Sequence, residues 1–156
     1  MSEVQDQNLN SDHLDLKHLD KKTEELLVKK AGEAKEYSYS PYSGFRVGAA
    51  LLTKSGRIYT GCNIENAAYT PSNCAERTAF FKAVSEGERH FTKICIVNED
   101  TKGMHTYCPP CGVCRQVMQE FADPDKLEII LAKSQDEYVT YSLKELLPLG
   151  FGADNL

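Results

Sequence analysis

The chain has 156 residues, of which 41% are hydrophobic and 26% charged, a composition typical of one soluble globular domain. Its net charge is −5 and it has no run of basic residues. This argues against a nucleic-acid partner, because phosphate binding normally needs a basic surface, and favours a small-molecule substrate. No apolar stretch has the length of a membrane span or a signal-peptide core, so the sequence predicts a cytoplasmic protein without a membrane partner.

The N-terminal residues differ in composition from the rest of the chain. Residues 1–20 carry five acids and one lysine, a charge of −4, which leaves about −1 for the remainder. Polar, acidic segments with few apolar side chains do not bury enough surface to fold. We therefore expect an acidic, disordered extension over residues 1–22 and a folded domain over residues 23–156.

The first predicted elements are a helix and a hairpin. Thr23 is a suitable N-cap for a helix over residues 24–37, along which apolar side chains recur at helical spacing. A segment that contains Pro and Gly ends this helix. Residues 46–53 and 57–62 then have the pattern of two strands joined by a Ser-Gly turn.

The rest of the chain alternates between helices and short strands. The further predicted elements are a helix over 74–84, a strand over 93–97, a helix over 111–121, strands over 127–132 and 138–141, and a short helix over 143–147. The element order is therefore α-β-β-α-β-α-β-β-α. Since helices and sheets bury their apolar faces against one another in layers, we expect an α/β fold with one sheet of about five strands covered by helices.

Three cysteines carry the strongest chemical signal. Cys111 and Cys114 lie three positions apart at a predicted helix start, and Cys74 begins another predicted helix. Helix N-termini favour anions, so two N-termini that face each other would hold three thiolates close together. Three protein ligands on Zn²⁺ leave a fourth position open to water, which is typical of catalytic zinc.

Two charged residues follow the first of these cysteines. Glu76 lies two positions after Cys74, where a carboxylate reaches a water molecule beside the metal without being a ligand itself. This is a suitable position for a general acid–base residue. Three thiolates on Zn²⁺ also leave excess negative charge. We expect Arg77 to compensate it by donating hydrogen bonds to ligand sulfurs, with Arg115 as a second candidate.

Cys108 leaves an alternative open. With Cys111 it forms a second Cys-x-x-Cys pair, and a closed site of four cysteines would be structural rather than catalytic. The intervening Pro109-Pro110 sequence argues against this alternative, because it holds Cys108 in extended chain and away from the helix start.

These motifs resemble the signatures of the cytidine deaminase family, in its small branch with three cysteine ligands. The signatures are Cys-Ala-Glu-Arg at 74–77 and Pro-Cys-Gly-Val-Cys-Arg-Gln at 110–116. Two further blocks match, Tyr-Ser-Pro-Tyr-Ser-Gly-Phe-Arg-Val-Gly-Ala at 39–49 and Gly-Cys-Asn-Ile-Glu-Asn-Ala at 61–67. The resemblance extends over about residues 23–151.

The resemblance implies a fold, a function and a set of site residues. Residues 23–156 would form a catalytic domain with a three-layer α/β/α fold and a mixed sheet, would assemble as a homotetramer, and would deaminate cytidine and deoxycytidine by zinc-dependent hydrolysis in pyrimidine salvage. The implied zinc ligands are Cys74, Cys111 and Cys114, and the implied proton carrier is Glu76. The implied substrate contacts are Phe45 against the base, Asn63 and Glu65 at the ribose 3′-hydroxyl, the Ala75 backbone at the pyrimidine edge, and Phe151 lent by a neighbouring subunit.

Three other functions stay open at this point. A blasticidin-S-type aminopyrimidine deaminase has similar zinc motifs, although the Asn63-x-Glu65 pair and Phe45 favour a nucleoside. A polynucleotide-editing deaminase or RNA-binding protein is opposed by the missing basic surface and the short chain. A zinc-stabilised structural module would leave Glu76 unexplained.

Overall fold

Within residues 9–156, which the computed structural model describes, the chain forms five strands and four α-helices in the predicted order. The helices are α1 (Leu9–Lys35), α2 (Ala75–Ser85), α3 (Gly112–Phe121) and α4 (Leu143–Leu146), and a 3₁₀ turn follows at Ala153–Asn155. The strands are β1 (Arg46–Thr53), β2 (Ile58–Cys62), β3 (Phe91–Glu99), β4 (Glu128–Ala132) and β5 (Tyr138–Ser142). Every predicted strand, and every predicted helix after the first, lies within about two residues of its predicted bounds, which is the usual uncertainty of such boundaries.

The five strands form one mixed sheet with the order β2-β1-β3-β4-β5. β1 pairs antiparallel with β2 and with β3, β3 and β4 run parallel, and β4 pairs antiparallel with β5. A parallel pair needs a crossover connection, and α3 supplies it. We call residues 100–110, which lead from the end of β3 to the start of α3, the β3–α3 connection.

Helices cover both faces of the sheet, which confirms the three-layer α/β/α fold. On one face α1 packs Leu27 into a cluster that includes Ala50 of β1. On the other face Phe80 of α2 and Met118 of α3 join a cluster that includes Ala49 of β1. Neighbouring residues of one strand thus face opposite layers, as the pleat of a strand requires.

Helix α1 starts at Leu9 rather than near residue 24. Residues 9–22 are therefore helical where a disordered extension was expected, and residues 1–8 of that extension lie outside the described residues. Once a helix is nucleated, each further residue adds a hydrogen bond at little cost. The helix that the apolar residues after position 23 nucleate therefore continues towards the N-terminus, through residues that would not form a helix alone. A domain boundary between residues 22 and 23 stays a prediction. Although α1 has 27 residues, no helix within the described part of the chain is both long and apolar enough to cross a membrane.

Two glycines allow α1 and α2 to lie directly on the sheet. A Cβ atom on Gly48 of β1 would lie 2.0 Å from the carbonyl oxygen of Ala31 in α1. A Cβ atom on Gly61 of β2 would lie 2.4 Å from the carbonyl oxygen of Ala75 in α2. Only a residue without a side chain permits such a close approach of two backbones. The start of α2 is therefore set by its contact with the end of β2.

Candidate metal centre and its surroundings

Three cysteine sulfurs meet where the N-termini of α2 and α3 come together. Cys74 is the N-cap residue of α2, Cys111 is the N-cap residue of α3, and Cys114 lies in the first turn of α3. The Sγ atoms of Cys74 and Cys111 are 3.9 Å apart, and those of Cys111 and Cys114 are 3.5 Å apart. All three lie within 4.8 Å of one another. The structure thus brings together the residues that were predicted as metal ligands.

This sulfur cluster has the size and the chemistry that Zn²⁺ requires. A tetrahedral zinc with Zn–S distances of about 2.3 Å holds its sulfur atoms roughly 3.8 Å apart, close to the separations here. Thiolates are soft ligands that select zinc over hard cations such as Mg²⁺. The guanidinium of Arg77 lies beside the cluster and brings a positive charge to it, and its buried Nε has no hydrogen-bond partner within the described residues. The residues present fit a zinc ion.

Contacts within the cluster favour the thiolate form of Cys74. The Cys114 thiol donates a hydrogen bond to the Cys74 sulfur and lowers the pKa of Cys74, as does the Arg77 guanidinium, against the effect of burial. The same hydrogen bond, together with burial, raises the pKa of Cys114. Without a metal the cluster therefore favours one thiolate, and a bound divalent cation would deprotonate the remaining thiols.

Glu76 lies in the first turn of α2 and is buried next to the sulfur cluster, with 5% of its surface exposed. Burial, assisted by the negative charge of Cys74, raises the pKa of Glu76 to about 7. A carboxyl group with a pKa near neutrality populates both its protonated and its deprotonated form at physiological pH. Such a group is suited to accept a proton and then return it.

The two arginines that follow the cysteine motifs make different contacts. Arg77 Nη2 lies 3.8 Å from the Sγ atom of Cys74, the position predicted for charge compensation. Arg115 instead donates from Nε and Nη1 to the carbonyl oxygens of Pro110 and Leu146, each at 2.7 Å. The expectation that Arg115 compensates the sulfur charge is therefore wrong. Its guanidinium satisfies two backbone carbonyls and ties α3 to α4.

Replacing Arg77 by Gln is expected to weaken zinc retention by about 10- to 100-fold, because residues around a metal site tune its affinity by this order. The measurement is the rate at which purified protein transfers zinc to a coloured chelator. Arg57→Gln is the matched control, since Arg57 is an exposed arginine that contacts Glu86 at 2.8 Å. Equal zinc retention in the Arg77 and Arg57 variants would exclude the compensating role.

Cys108 lies outside the sulfur cluster. Within the described residues, the group of mutually close ligand atoms consists of Cys74, Cys111 and Cys114, while Cys108 packs against the hydrophobic core. Burial raises the pKa of the Cys108 thiol to about 11, as expected for a cysteine packed against the core. The alternative of a closed site with four cysteines is wrong, and the three-cysteine set leaves a position for water.

Asn63 holds the segment that enters β1. Its Oδ1 accepts hydrogen bonds from the backbone of Val47 at 2.8 Å and the hydroxyl of Ser38 at 2.5 Å. Its Nδ2 donates to the carbonyl oxygen of Phe45 at 2.8 Å. An amide side chain has two acceptor sites and two donor hydrogens. After these contacts one hydrogen of Nδ2 is left for a ligand.

Glu65 holds the preceding loop in a similar way. Its carboxylate accepts from the backbone N–H groups of Tyr42 at 2.8 Å and Ser43 at 3.2 Å, and also from the Ser43 hydroxyl. The hydrogen bond from the Ser43 hydroxyl is the main cause that lowers the pKa of Glu65. A carboxylate offers about four acceptor positions, so one is left for a ligand. Glu65 also lines a cavity of about 410 Å³ together with Tyr69 and Ser72.

Backbone pairing joins this cavity wall to the sulfur cluster. Ile64, which lies between Asn63 and Glu65, exchanges two backbone hydrogen bonds of 2.9 Å with Asn73. Asn73 directly precedes Cys74. The segment that carries the two residues predicted to bind the ribose is therefore paired, through Ile64, with the segment that leads into α2.

The two residues predicted to contact the base lie on the same side of the sheet as the cluster. Phe45 is half-buried and packs against the same core cluster as Cys74 and Cys108 do. Ala75 is fully buried and its carbonyl oxygen faces Gly61. The backbone group of Ala75 that can contact a ligand is therefore its N–H group. This N–H group is the first of the helix and has no hydrogen-bond acceptor within the helix.

Phe151 lies in the C-terminal segment and 58% of its surface is exposed. Its carbonyl oxygen accepts a hydrogen bond of 2.9 Å from Nε2 of Gln116 in α3. The neighbouring Leu149 is fully exposed. The backbone of Phe151 is thus tied to the helix that carries two of the cysteines, and its predicted role in a neighbouring subunit stays a prediction.

Two small polar residues that shape the site were not predicted. Thr78 donates to the carbonyl oxygen of Cys62 at 3.0 Å and accepts from Nδ2 of Asn73 at 3.1 Å, which ties the first turn of α2 to the end of β2. Ser43 is the hydroxyl donor to Glu65. Ser43 lies within the matched block at 39–49, which was a signal for it, whereas no motif or periodicity indicated Thr78.

Comparisons with known proteins agree with this geometry. Residues 21–129 match the family model for the cytidine and deoxycytidylate deaminase zinc-binding region. The cytidine deaminase of Sporosarcina psychrophila is 46% identical over 132 residues, which cover 85% of this chain and 93% of the relative. The probable cytidine deaminase of Dictyostelium discoideum is 42% identical over 132 residues, with coverages of 85% and 86%. The crystal structure of cytidine deaminase from Burkholderia pseudomallei has a TM-score of 0.73 at 44% identity and covers 81% of this chain and 97% of its own.

Proposed function

The chain belongs to the cytidine and deoxycytidylate deaminase family, and we propose that it hydrolyses cytidine and deoxycytidine to uridine and deoxyuridine with release of ammonia. The observation that carries the proposal is a buried Glu76 beside the cluster of Cys74, Cys111 and Cys114. A structural zinc module has no use for a buried carboxyl group at this position. The reaction is one of pyrimidine salvage, and a cytoplasmic location stays a prediction.

Cys74, Cys111 and Cys114 would hold the zinc ion of this enzyme. When bound, zinc supplies Lewis-acid activation of water at neutral pH. The three thiolates exceed the charge of the ion by one. Arg77 beside Cys74 offsets that excess, and the N-termini of α2 and α3 add partial positive charge at the same place.

Glu76 carries the protons of the reaction. In its deprotonated form the carboxylate accepts a proton from the water that attacks C4 of the cytosine ring, and it delivers this proton to N3. It then takes the second proton of the same water and delivers it to the amino group at C4. The C–N bond breaks, ammonia leaves, and the water oxygen stays on C4 as the carbonyl oxygen of uridine.

Asn63 and Glu65 would bind the 3′-hydroxyl of the sugar. After their contacts within the protein, Asn63 has one donor hydrogen left and Glu65 has one acceptor position left. A hydroxyl group accepts one hydrogen bond and donates another, which matches this pair. Phe45 would pack against the base, and the N–H group of Ala75 would meet the pyrimidine edge. A phosphate on the 3′-oxygen would be repelled by Glu65, which favours free nucleosides over nucleic acid.

Removal of the 3′-hydroxyl is expected to lower kcat/KM by at least about 100-fold, because a site built to bind a hydroxyl is left with unpaired polar groups when the hydroxyl is missing. The measurement compares 3′-deoxycytidine with cytidine by the loss of ultraviolet absorbance on deamination. The isomeric 2′-deoxycytidine is the matched control and should keep most of the activity. Similar rates for the 2′- and 3′-deoxy compounds would exclude the assignment of Asn63 and Glu65.

We infer in addition that the chain assembles as a homotetramer whose sites are completed by neighbouring subunits. The exposed Phe151 and Leu149 support this proposal, since exposed large apolar side chains next to a site favour contact with another copy. Light scattering of the purified protein measures the assembly state. In a tetramer, Phe151→Ala should raise KM for cytidine without changing the zinc content.

The experiment that tests the function follows ammonia release from cytidine, deoxycytidine, cytidine 3′-monophosphate and blasticidin S. The two nucleosides should be turned over, and the 3′-monophosphate should not, because its phosphate would meet the charge of Glu65. Turnover of blasticidin S alone would favour the aminopyrimidine antibiotic as substrate, which is the second candidate because that class shares the zinc motifs. A zinc-loaded protein that deaminates neither nucleoside would overturn the proposed function.

A further inference from the structure

A buried amide at the end of β3 holds the β3–α3 connection. Asn98 is fully buried, with none of its surface exposed. Its Nδ2 donates to Oγ1 of Thr106 at 3.0 Å, and its Oδ1 accepts from the backbone N–H of Thr106 at 3.2 Å. Its carbonyl oxygen lies 2.5 Å from Nδ1 of His105. The side chain and the backbone of one buried residue thus bind two adjacent residues of the connection.

The chain between Thr106 and Cys111 is short and stiff. Pro109 and Pro110 have restricted φ angles and force the residues before them into extended backbone. Pro110 is buried, and its carbonyl oxygen accepts a hydrogen bond of 2.7 Å from Nε of Arg115. A displacement of Thr106 is therefore passed on to Cys111 and is not absorbed on the way.

Helix α3 depends on this connection for its position. It has 10 residues, of which Cys114 and Met118 are buried. The packing of Met118 and the hydrogen bond from Arg115 to Leu146 hold the body of the helix. The segment that enters the helix is bound to it through Pro110 and helps to set where its N-terminus lies. That N-terminus carries Cys111 and Cys114, which are two of the three residues in the sulfur cluster.

We propose that Asn98 is a positioning residue for the metal centre: by holding Thr106 it sets the place of Cys111 and Cys114, and so controls how firmly zinc is retained. The inference rests on the proposed zinc-dependent function. Asn98 does not touch the sulfur atoms, and its effect passes through Thr106 and the two prolines. A neutral amide suits this task because it both donates to and accepts from one partner residue without bringing a charge into the core.

The test uses variants of both partners in the zinc-loaded protein. Asn98→Leu removes both side-chain hydrogen bonds at similar volume, and Thr106→Val removes the hydroxyl while it keeps the shape of the side chain. Both should release zinc to 4-(2-pyridylazo)resorcinol at least about tenfold faster than the parent. Thr106→Ser keeps the hydroxyl and should release zinc at the rate of the parent. Because the two residues act as a unit, the double variant should be no faster than Asn98→Leu.

A core variant on the opposite face of the sheet separates positioning from general stability. Ile130→Val removes one buried methyl group from the cluster under α1, which does not contain the cysteines of the sulfur cluster, so it should lower Tm without changing zinc release. The proposal is overturned if Thr106→Val releases zinc at the rate of the parent, or if Ile130→Val speeds release as much as Asn98→Leu does. Zinc content and cytidine turnover of the parent are measured alongside. A parent that retains zinc but does not deaminate cytidine would overturn the proposed function, and the comparison of release rates would still decide the role of Asn98.

Discussion

Glu76→Gln is expected to lower kcat for cytidine by about 10³-fold or more while the zinc content stays at that of the parent. Gln has nearly the shape of Glu, but it does not exchange a proton with water or substrate. General acid–base residues contribute about 10² to 10⁴ in rate, and Glu76 acts in successive proton transfers. The measurements are steady-state kinetics and metal analysis of the same preparation. Glu120→Gln, on the exposed face of α3, is the control and should change neither value.

The same substitution has a pH signature in the zinc-free protein. Burial raises the pKa of Glu76 from 4.5 to about 7, so between these values the folded chain holds a proton that the unfolded chain has released. The stabilisation from that proton is lost as the pH rises. The parent should therefore lose roughly 3 kcal/mol of unfolding free energy between pH 4.5 and pH 7 that Glu76→Gln does not lose, so the variant becomes more stable relative to the parent by that amount. Urea unfolding at both pH values measures it, and a difference that does not vary with pH would contradict the buried, raised pKa.

Gly61→Ala is expected to cost about 3 kcal/mol of folding free energy, or about 10 °C in Tm, and to lower zinc retention as well. The new Cβ atom would lie 2.4 Å from the carbonyl oxygen of Ala75 and 2.6 Å from the backbone nitrogen of Ala79. Neither backbone atom moves without the helix, so α2 has to shift away from β2. Because α2 begins at Cys74, this shift displaces one cysteine from the other two.

A glycine in open space provides the control for Gly61→Ala. Gly32 lies in α1, and a Cβ atom there would meet nothing within 4 Å. Gly32→Ala should therefore stabilise the protein by about 0.5–1 kcal/mol, since alanine is the better helix former. Thermal unfolding and zinc release are measured for both variants. If Gly61→Ala were as stable as the parent and held zinc as well, the close contact between β2 and α2 would not be what places Cys74.

The elements of the fold were predictable because their burial patterns are simple. β1 was recognised from an unbroken run of small and apolar residues, and it is buried on both faces between α1 and α2. The start of α1 was not recognised, because its first residues are acidic and their composition is that of an unfolded segment. Tertiary contacts reach that part of the helix, such as the ion pair of Asp20 with Lys93 at 2.9 Å, and they link residues that are far apart in sequence.

The chemical centre was more predictable than its surroundings. The spacing of the three cysteines predicts a metal site, and the position of Glu76 two residues after Cys74 predicts an acid–base group beside it. The structure brings the three sulfur atoms together. Asn98 belongs to no such motif, and the motif that contains Asn63 does not indicate the backbone contacts of its amide. Their amides bind partners such as Val47 and Thr106, and only the folded sheet shows which polar groups have to be satisfied there. The prediction for Arg115 was wrong for the same reason, because the carbonyl group that it binds belongs to Leu146, 31 positions away in the sequence.

The sulfur cluster also has a consequence for the topology of the chain. Cys74 and Cys111 are 37 positions apart, and the chain between them contains α2 and β3. A metal ion held by both residues turns this stretch into a closed ring, as a disulfide would. Closing a ring of this length removes conformations from the unfolded chain that correspond to roughly 4 kcal/mol. Folding and metal binding then become one equilibrium. The concentration of available zinc would thereby set the fraction of folded protein as well as the fraction of active enzyme.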